Sequence, residues 1–217
     1  MKRFIYIALA ALLAAACSEK DDSWDAYDNW PARNAAWYEQ VADSARTAIR
    51  KAQQEWGTEW AQHCDWRMYQ STTHIPGQTG PVTDSICLRY LHRAPTDGKQ
   101  AQWNDTVRVN YRGFLMTTQD RVNGQLVDVA KVFDQTFYGT YNPATACPQQ
   151  LTVSGTVAGF ATALQYMRQG DEVMLYIPQQ LAYGSKSQSS VPAYSTLRFH
   201  LALMQVLHVG EKVTAWK

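Results

Sequence analysis

Neither sign of charge dominates this sequence. Twenty Lys and Arg stand against nineteen Asp and Glu, a formal net charge of +1. No basic stripe gathers the cations, so a nucleic-acid partner gets no electrostatic support. Metal ligands are equally sparse. The four cysteines (Cys17, Cys64, Cys87 and Cys147) show no C-x-x-C spacing. The five histidines (His63, His74, His92, His200 and His208) fall at no metal spacing and beside no Ser or Cys in a triad-like context. The carboxylates, Asp21-Asp22 included, form no paired acid/base arrangement. Aromatic residues are what the composition has in plenty: eight Trp, twelve Tyr and six Phe. Such side chains are core material first and binding surface second.

Long apolar runs are missing but for one, Phe4 to Leu13. It falls well short of the roughly 20 residues that a bilayer-spanning helix takes. With Lys2 and Arg3 before it and Ala14-Ala15-Ala16 behind it, residues 1–16 read as a cleaved export signal. Cys17 follows at once, and Leu13-Ala14-Ala15-Ala16-Cys17 resembles a bacterial lipobox, whose cysteine is diacylated to become the new N-terminus. Ordinary cleavage after an A-x-A site is the alternative. Ser18 to Asp22 (S-E-K-D-D) is similar to the acidic export tag of some Gram-negative surface lipoproteins, or is a plain hydrophilic tether. The expectation is a lipidated tether over residues 17–30 and a membrane anchor at Cys17. The protein is then an outer-membrane lipoprotein of the cell envelope, on its periplasmic face or on the cell surface. Each buried acyl CH₂ contributes about 0.8 kcal/mol, so two or three chains hold firmly. In an oxidising compartment two of Cys64, Cys87 and Cys147 can bridge and leave one odd thiol; structural burial of each is the expected role.

Pro31 sits where a helix can begin. From there to about Trp60, apolar residues recur at Val41, Ala45, Ala48, Ala52 and Trp56, one stripe on a helix. The spacing predicts a helical extension over residues 31–62, packed on the domain that follows or, alternatively, forming a dimer seam. Residues 63–83 read as a connecting strand (Trp66 to Ser71) and a loop (Thr73 to Pro81) with two glycines and two prolines. Beyond this the pattern is one of short alternating runs broken by turn residues: Ile86–His92, Thr106–Leu115, Val127–Phe133, Leu151–Val153, Glu172–Ile177 and Thr196–Val206. One helical piece interrupts them, Phe160 to Arg168, with apolar positions at Phe160, Ala163, Leu164 and Met167. The sum is an α+β domain over residues 84–209, a twisted antiparallel β-sheet wrapped around one short helix.

Five segments, in order, carry a family resemblance. Val107-Arg108-Val109-Asn110-Tyr111-Arg112-Gly113 resembles the V-x-V-x-Y-x-G strand of FKBP domains, and Phe133-Asp134-Gln135-Thr136 resembles their F-D-S-S segment. Gly155-Thr156-Val157-Ala158-Gly159-Phe160, continuing to Leu164, Met167 and Gly170, is similar to their V-I-x-G-W-x-x-x-L-x-x-M-x-x-G. Ile177-Pro178 with Leu181-Ala182-Tyr183-Gly184 matches I-P-x-x-L-A-Y-G, and Val191-Pro192 with Thr196-Leu197-Arg198-Phe199 matches the last strand. Between Leu115 and Phe133, where the family usually has a short hairpin, this chain has a longer one with a turn at Asn123-Gly124. It reads as an insertion at the rim of the pocket.

The resemblance implies an FKBP-type peptidyl-prolyl cis–trans isomerase that acts on proline-containing peptides or unfolded protein segments, with no cofactor and no metal. It assigns Tyr111, Phe133, Phe160 and Phe199 to an apolar proline pocket, together with the ring of Tyr183. It gives Val157 a backbone N–H that meets a substrate carbonyl. The Tyr183 hydroxyl becomes a second donor, and Asp134 the carboxylate beside the polarised amide. Three departures stand out. Phe160 replaces the frequent Trp at the pocket floor. The residues after Asp134 lack the Arg that often pairs with it. Ser190 stands where an apolar residue often touches the ligand, which predicts a shallower, wetter pocket. Two other readings follow from the additions: a peptide-binding or chaperone module with little turnover, or a structural subunit of a surface or motility complex.

Overall fold

The computed structural model describes residues 25–71 and 84–216. The export signal, Cys17, the S-E-K-D-D stretch and the Thr73–Pro81 loop lie outside the described residues. Helix α1 (Trp30–Trp56) is followed by a 3₁₀ turn, Gly57–Glu59, and by the short helix α2 (Trp60–His63). Nine strands come next in chain order around a second main helix. They are β1 (Trp66–Gln70), β2 (Ser85–His92), β3 (Thr106–Phe114), β4 (Thr118–Val122), β5 (Gln125–Val129) and β6 (Val132–Gln135), then β7 (Gln149–Thr152). Helix α3 (Ala158–Tyr166) precedes β8 (Glu172–Ile177) and β9 (Leu197–Leu207).

Seven strands form one antiparallel sheet in the order β1-β2-β8-β9-β3-β6, with β7 pairing the first half of β3. The long strand β3 therefore meets two short partners along one side, β7 over Thr106–Val109 and β6 over Arg112–Phe114, while β9 runs its full length on the other. This split opens the sheet beside Tyr111, where the pocket lies. The strand expected over Val127–Phe133 is two strands: β5 turns back on β4, and β6 returns to the main sheet. The expected antiparallel sheet with one short helix across it is thus present, and the helical boundaries shift from Phe160–Arg168 to Ala158–Tyr166.

Period-two alternation divides the buried residues of β2 and β8 between two faces. Ile86, Leu88, Val173, Leu175 and Ile177 join α3 in the main core. Cys87 and Tyr176 point the other way, toward Tyr38, Ala42 and Ala45 of α1. A Cβ on Gly159 would lie 2.3 Å from Ile177 Cγ2, so only glycine lets α3 approach β8 this closely. Helix α1 buries Trp30, Asn34, Tyr38, Ala42, Ala45 and Ala52, and of these Tyr38, Ala42 and Ala45 cover the opposite face. This stripe shares only Ala45 and Ala52 with the expected one over Val41, Ala45, Ala48, Ala52 and Trp56. It begins with Trp30, whose indole N–H donates to Ser195 Oγ (2.9 Å), and Asn34, whose Oδ1 accepts from the Thr196 N–H (2.8 Å). Trp56, expected inside the stripe, is exposed and stacks on His63. Tyr38, Ala42 and Ala45 of this stripe are spent on the chain's own sheet.

Two boundaries move for physical reasons. Residues 17–30 do not end as a tether: Tyr27 and Trp30 meet edge to face at 5.0 Å, and both pack on the main core. Residues 63–83 are not merely a connector, because β1 pairs β2 through Trp66↔Arg89 to Gln70↔Ser85 and extends the sheet. At the other end, Arg108 holds the chain past residue 209 by donating to the Thr214 carbonyl, with its guanidinium over Trp216. The hairpin β4–β5 turns at Asn123-Gly124, where Asn123 has φ 51°, and it stands largely in solvent.

Cys64, Cys87 and Cys147 are all free thiols. Cys64 and Cys87 are buried as expected; Cys147 is exposed, because it sits in the irregular segment between β6 and β7 rather than on a strand. Burial pushes the Cys87 thiol up to about 11, against the opposing effect of its hydrogen bond with Tyr38, so it stays protonated and unreactive.

Candidate active site

The split of β3 between two partners brings five separate stretches of chain to one hollow. Strand β3 supplies Tyr111, β6 supplies Phe133 and Asp134, and β9 supplies Phe199. The N-terminal end of α3 supplies Val157 and Phe160, and the loop after the 3₁₀ turn Gln179–Leu181 supplies Tyr183. All seven expected residues line this pocket of about 310 Å³, together with Gln149, Leu151, Gly155 and Thr156.

The rings hold one another in place. Phe199 meets Phe160 at 5.1 Å, Phe133 at 5.4 Å and Tyr111 at 6.1 Å, all edge to face; Tyr111 and Phe160 are likewise perpendicular at 6.1 Å. This geometry sets positive ring edges against negative ring faces and contributes about 0.5–1.5 kcal/mol per pair beyond area burial. Phe160 is the floor, 4% exposed. Gly113 matters here by what it omits. A Cβ there would sit 2.6 Å from Phe133 Cζ and 2.8 Å from Phe199 Cε1. The glycine of the Y-x-G pattern thus gives the two rings room to lie against β3.

The polar groups fall into one occupied set and two open donors. Tyr111 Oη lies 2.7 Å from Asp134 Oδ2 and 2.8 Å from Gln149 Oε1. A phenol has one proton, and it goes to the stronger acceptor, the carboxylate. Gln149 then approaches the hydroxyl with the amino end of its amide, since O and N of that group are interchangeable by a flip. Burial first, and the Asp134 carboxylate second, hold the Tyr111 phenol above its ordinary value, so it remains a donor. Tyr183 is raised by the same two causes in the same order. Its hydroxyl has no hydrogen-bond partner among the described residues. Val157 caps α3 with extended backbone, its carbonyl accepting from the Ala161 N–H (3.0 Å), and no acceptor among the described residues takes its own N–H.

Two departures noted in the sequence have structural counterparts. Among the described residues no arginine is paired with Asp134: Arg112, one register step away, donates instead to Gln135 Oε1 (2.7 Å) and the Gly139 carbonyl (3.1 Å) and lies over Phe137. Ser190 does not line the pocket; its hydroxyl donates to the Phe133 carbonyl at 3.4 Å and ties the loop to the rim.

Residues 97–204 match the family described as FKBP-type peptidyl-prolyl cis-trans isomerase. The domain over residues 97–204 belongs to this family. The FKBP-type 22 kDa peptidyl-prolyl cis-trans isomerase of Escherichia coli is 35% identical over 104 residues, 48% of this chain and 42% of that protein. The E. coli FKBP-type isomerase FkpA is 28% identical over 129 residues, 59% of this chain and 41% of that protein. The chain thus spans about two fifths of the length of these curated relatives. Against the crystal structure of E. coli FkpA the TM-score is 0.45 at 23% identity, covering 83% of this chain and 69% of that one. The family assignment rests on the sequence match, and the fold on the strand order described above.

Within the FKBP frame, Gln149 and Leu151 are the lining residues that sequence reading missed. Gly155 and Thr156 at least belong to the quoted motif. Gln149 reaches the site only because β7 registers Gln149 against Val109, a long-range pairing that no local pattern encodes.

Proposed function

We propose that this chain catalyses cis–trans isomerisation of X-Pro bonds in proline-containing peptides or unfolded protein segments, and so assists folding. One observation carries the reading: a mutually braced aromatic cage opens beside two unpaired donors, the Val157 N–H and the Tyr183 hydroxyl, with Asp134 at its rim. Rotation about the amide is opposed by about 18–20 kcal/mol of lost resonance. No bond is broken, so the residues need only prefer the twisted amide to the planar one. Phe160, Phe199 and Phe133 take the pyrrolidine ring and strip water from the amide. The Val157 N–H fixes a carbonyl of the peptide, and Tyr183 donates to a second. Asp134, held in orientation by Tyr111, faces the dipole that grows as conjugation is lost. Because Tyr183 and Tyr111 are raised, both phenols stay protonated beyond about pH 10, the ordinary phenol value.

A prolyl-peptide isomerisation assay tests this. Turnover above the uncatalysed rate is expected, and it should fall about tenfold in Tyr183→Phe, the worth of one hydrogen bond in the twisted state. Asp134→Ala should also lower it. Turnover at the uncatalysed rate in the unaltered chain would sink the enzyme reading. The peptide-binding module is the second reading, favoured by the hairpin β4–β5, which exposes Val122, Leu126 and Val127 beyond what folding requires.

The same proposal places the protein in the cell envelope as an outer-membrane lipoprotein. Its support is the basic, apolar and small-residue succession of residues 1–16 and the cysteine that follows. A fatty-acid probe should label the unaltered chain and leave Cys17→Ala unlabelled; equal labelling of both would overturn the anchor.

A further inference from the structure

Among the described residues, the outer strand β1 leaves the backbone groups of Met68 and Gln70 unpaired beside a groove lined by three arginines. In an antiparallel pair, alternate residues turn their N–H and C=O toward the partner and the rest turn them away. Here the Tyr90 N–H bonds the Asp65 carbonyl and the Ser71 N–H bonds the Asp84 carbonyl, which places the odd-numbered residues of β1 in the ladder with β2. Trp66, Met68 and Gln70 therefore present their backbone groups outward. Arg67 Nη1 occupies the Trp66 carbonyl (2.6 Å). The N–H and C=O of Met68 and Gln70 have no partner among the described residues.

A groove of about 560 Å³ follows this edge between β1 and the second half of α1. Three consecutive residues of the strand, Arg67, Met68 and Tyr69, line it. Side chains of a strand alternate between faces, so three in a row meet one hollow only along the strand's edge. Ile49 gives an apolar wall, and Arg46, Arg50 and Arg67 give three cations, with no acidic residue in the lining. Arg67 donates to the Ala61, Cys64 and Trp66 carbonyls and lies over the Trp60 ring, with no carboxylate paired to it among the described residues. Arg46 binds Asp43 and Glu39 through Nη2, while its Nη1 is buried without a partner.

We propose that this edge is a strand-addition site for an extended, acidic peptide segment, distinct from the proline pocket. Main-chain bonds to Met68 and Gln70 hold the segment, and alternate carboxylates meet the arginines. This is the division of labour by which an added strand combines backbone affinity with side-chain specificity. The charge selects acidic segments over basic ones.

The test uses the full chain and a fluorescein-labelled peptide of about ten residues with alternating Glu and Val. Fluorescence anisotropy should show saturable binding, weakened at least about tenfold when Lys replaces Glu. N-methylation of alternate peptide nitrogens removes strand pairing without touching the protein and should weaken binding by a similar factor. Amide exchange at Met68 and Gln70 should slow at saturation. Arg50→Glu should weaken the acidic peptide several-fold while prolyl-peptide turnover, read on the same sample, confirms the fold. The proposal is overturned if N-methylation changes nothing, if the Met68 and Gln70 amides stay unprotected at saturation, or if a proline peptide displaces the acidic one.

Discussion

The two faces of the main sheet are covered by different means. On the face toward α3, large apolar side chains fill volume: Ile86, Leu88, Val173, Leu175, Leu164 and Met167 are almost wholly buried. On the face toward α1, small residues allow close approach, and specific hydrogen bonds set position. Ala42 and Ala45 are fully buried, Tyr38 donates to the Ser85 carbonyl, and Asn34 bonds across to Thr196. The contrast explains where the pocket is. Bulky rings meeting at right angles leave a hollow where the sheet splits between β6 and β7, whereas an alanine contact closes flat. The α1 face also has a use for the site: Trp30 and Asn34 grip Ser195 and Thr196, just before Phe199 on β9.

The comparison breaks most sharply at the cage. Phe160→Ala should cost about 3–5 kcal/mol in denaturant unfolding, since it leaves a cavity braced by rings that cannot collapse into it. A loss below about 1 kcal/mol would mean that Phe160 is not the floor. On the opposite face, Asn34→Ala should cost about 1–3 kcal/mol, because the buried Thr196 N–H loses its acceptor. If the α1 face worked by volume alone, Asn34→Leu would restore that loss; continued destabilisation in the leucine variant is the expected outcome. Tyr183→Phe should leave stability within about 0.5 kcal/mol, because its hydroxyl has no partner to lose, while lowering turnover as described.

A smaller effect belongs to the end of the sheet, where Asp105 is buried. Burial alone would push its carboxyl up, but the Gln102 and Val209 N–H groups and His208 favour the charged form, and the net shift is downward. A carboxylate lowered on folding contributes stability above its unfolded value of about 3.9, and that contribution drains away as pH falls through the lower, folded value. Unfolding free energy should therefore decline in the acid range below about pH 4, with a shallower decline in Asp105→Asn. The smallest effect is expected on the hairpin: Val127→Asp should change stability by less than about 0.5 kcal/mol, since Val127 is exposed. A larger loss would show that the hairpin is packed on the body in solution.

The resemblance to FKBP domains, carried by short motifs, pointed to the pocket's rings and to Val157 and Tyr183. V-x-V-x-Y-x-G, F-D, V-A-G-F and A-Y-G each encode a short stretch whose geometry depends mainly on neighbours in sequence: strand alternation, a helix N-terminus, a tight loop. Their order carries that resemblance, which implied a common hollow, and Tyr111, Phe133, Asp134, Val157, Phe160, Tyr183 and Phe199 do line one. Long-range register was beyond the pattern's reach. Gln149 enters the site through the β3–β7 pairing, β1 joins the sheet through its pairing with β2, and α1 rests on Trp30, Asn34 and Tyr38 as well as on Ala42, Ala45 and Ala52. In each case the deciding contacts join residues far apart in the chain, such as Asn34 with Thr196. Their free energy is gained only after the chain has closed on itself, so no window of sequence displays them. The motifs that resemble FKBP domains pointed to the side chains this protein brings to its pocket; the tertiary structure decided which of their polar atoms are already satisfied and which remain free to act.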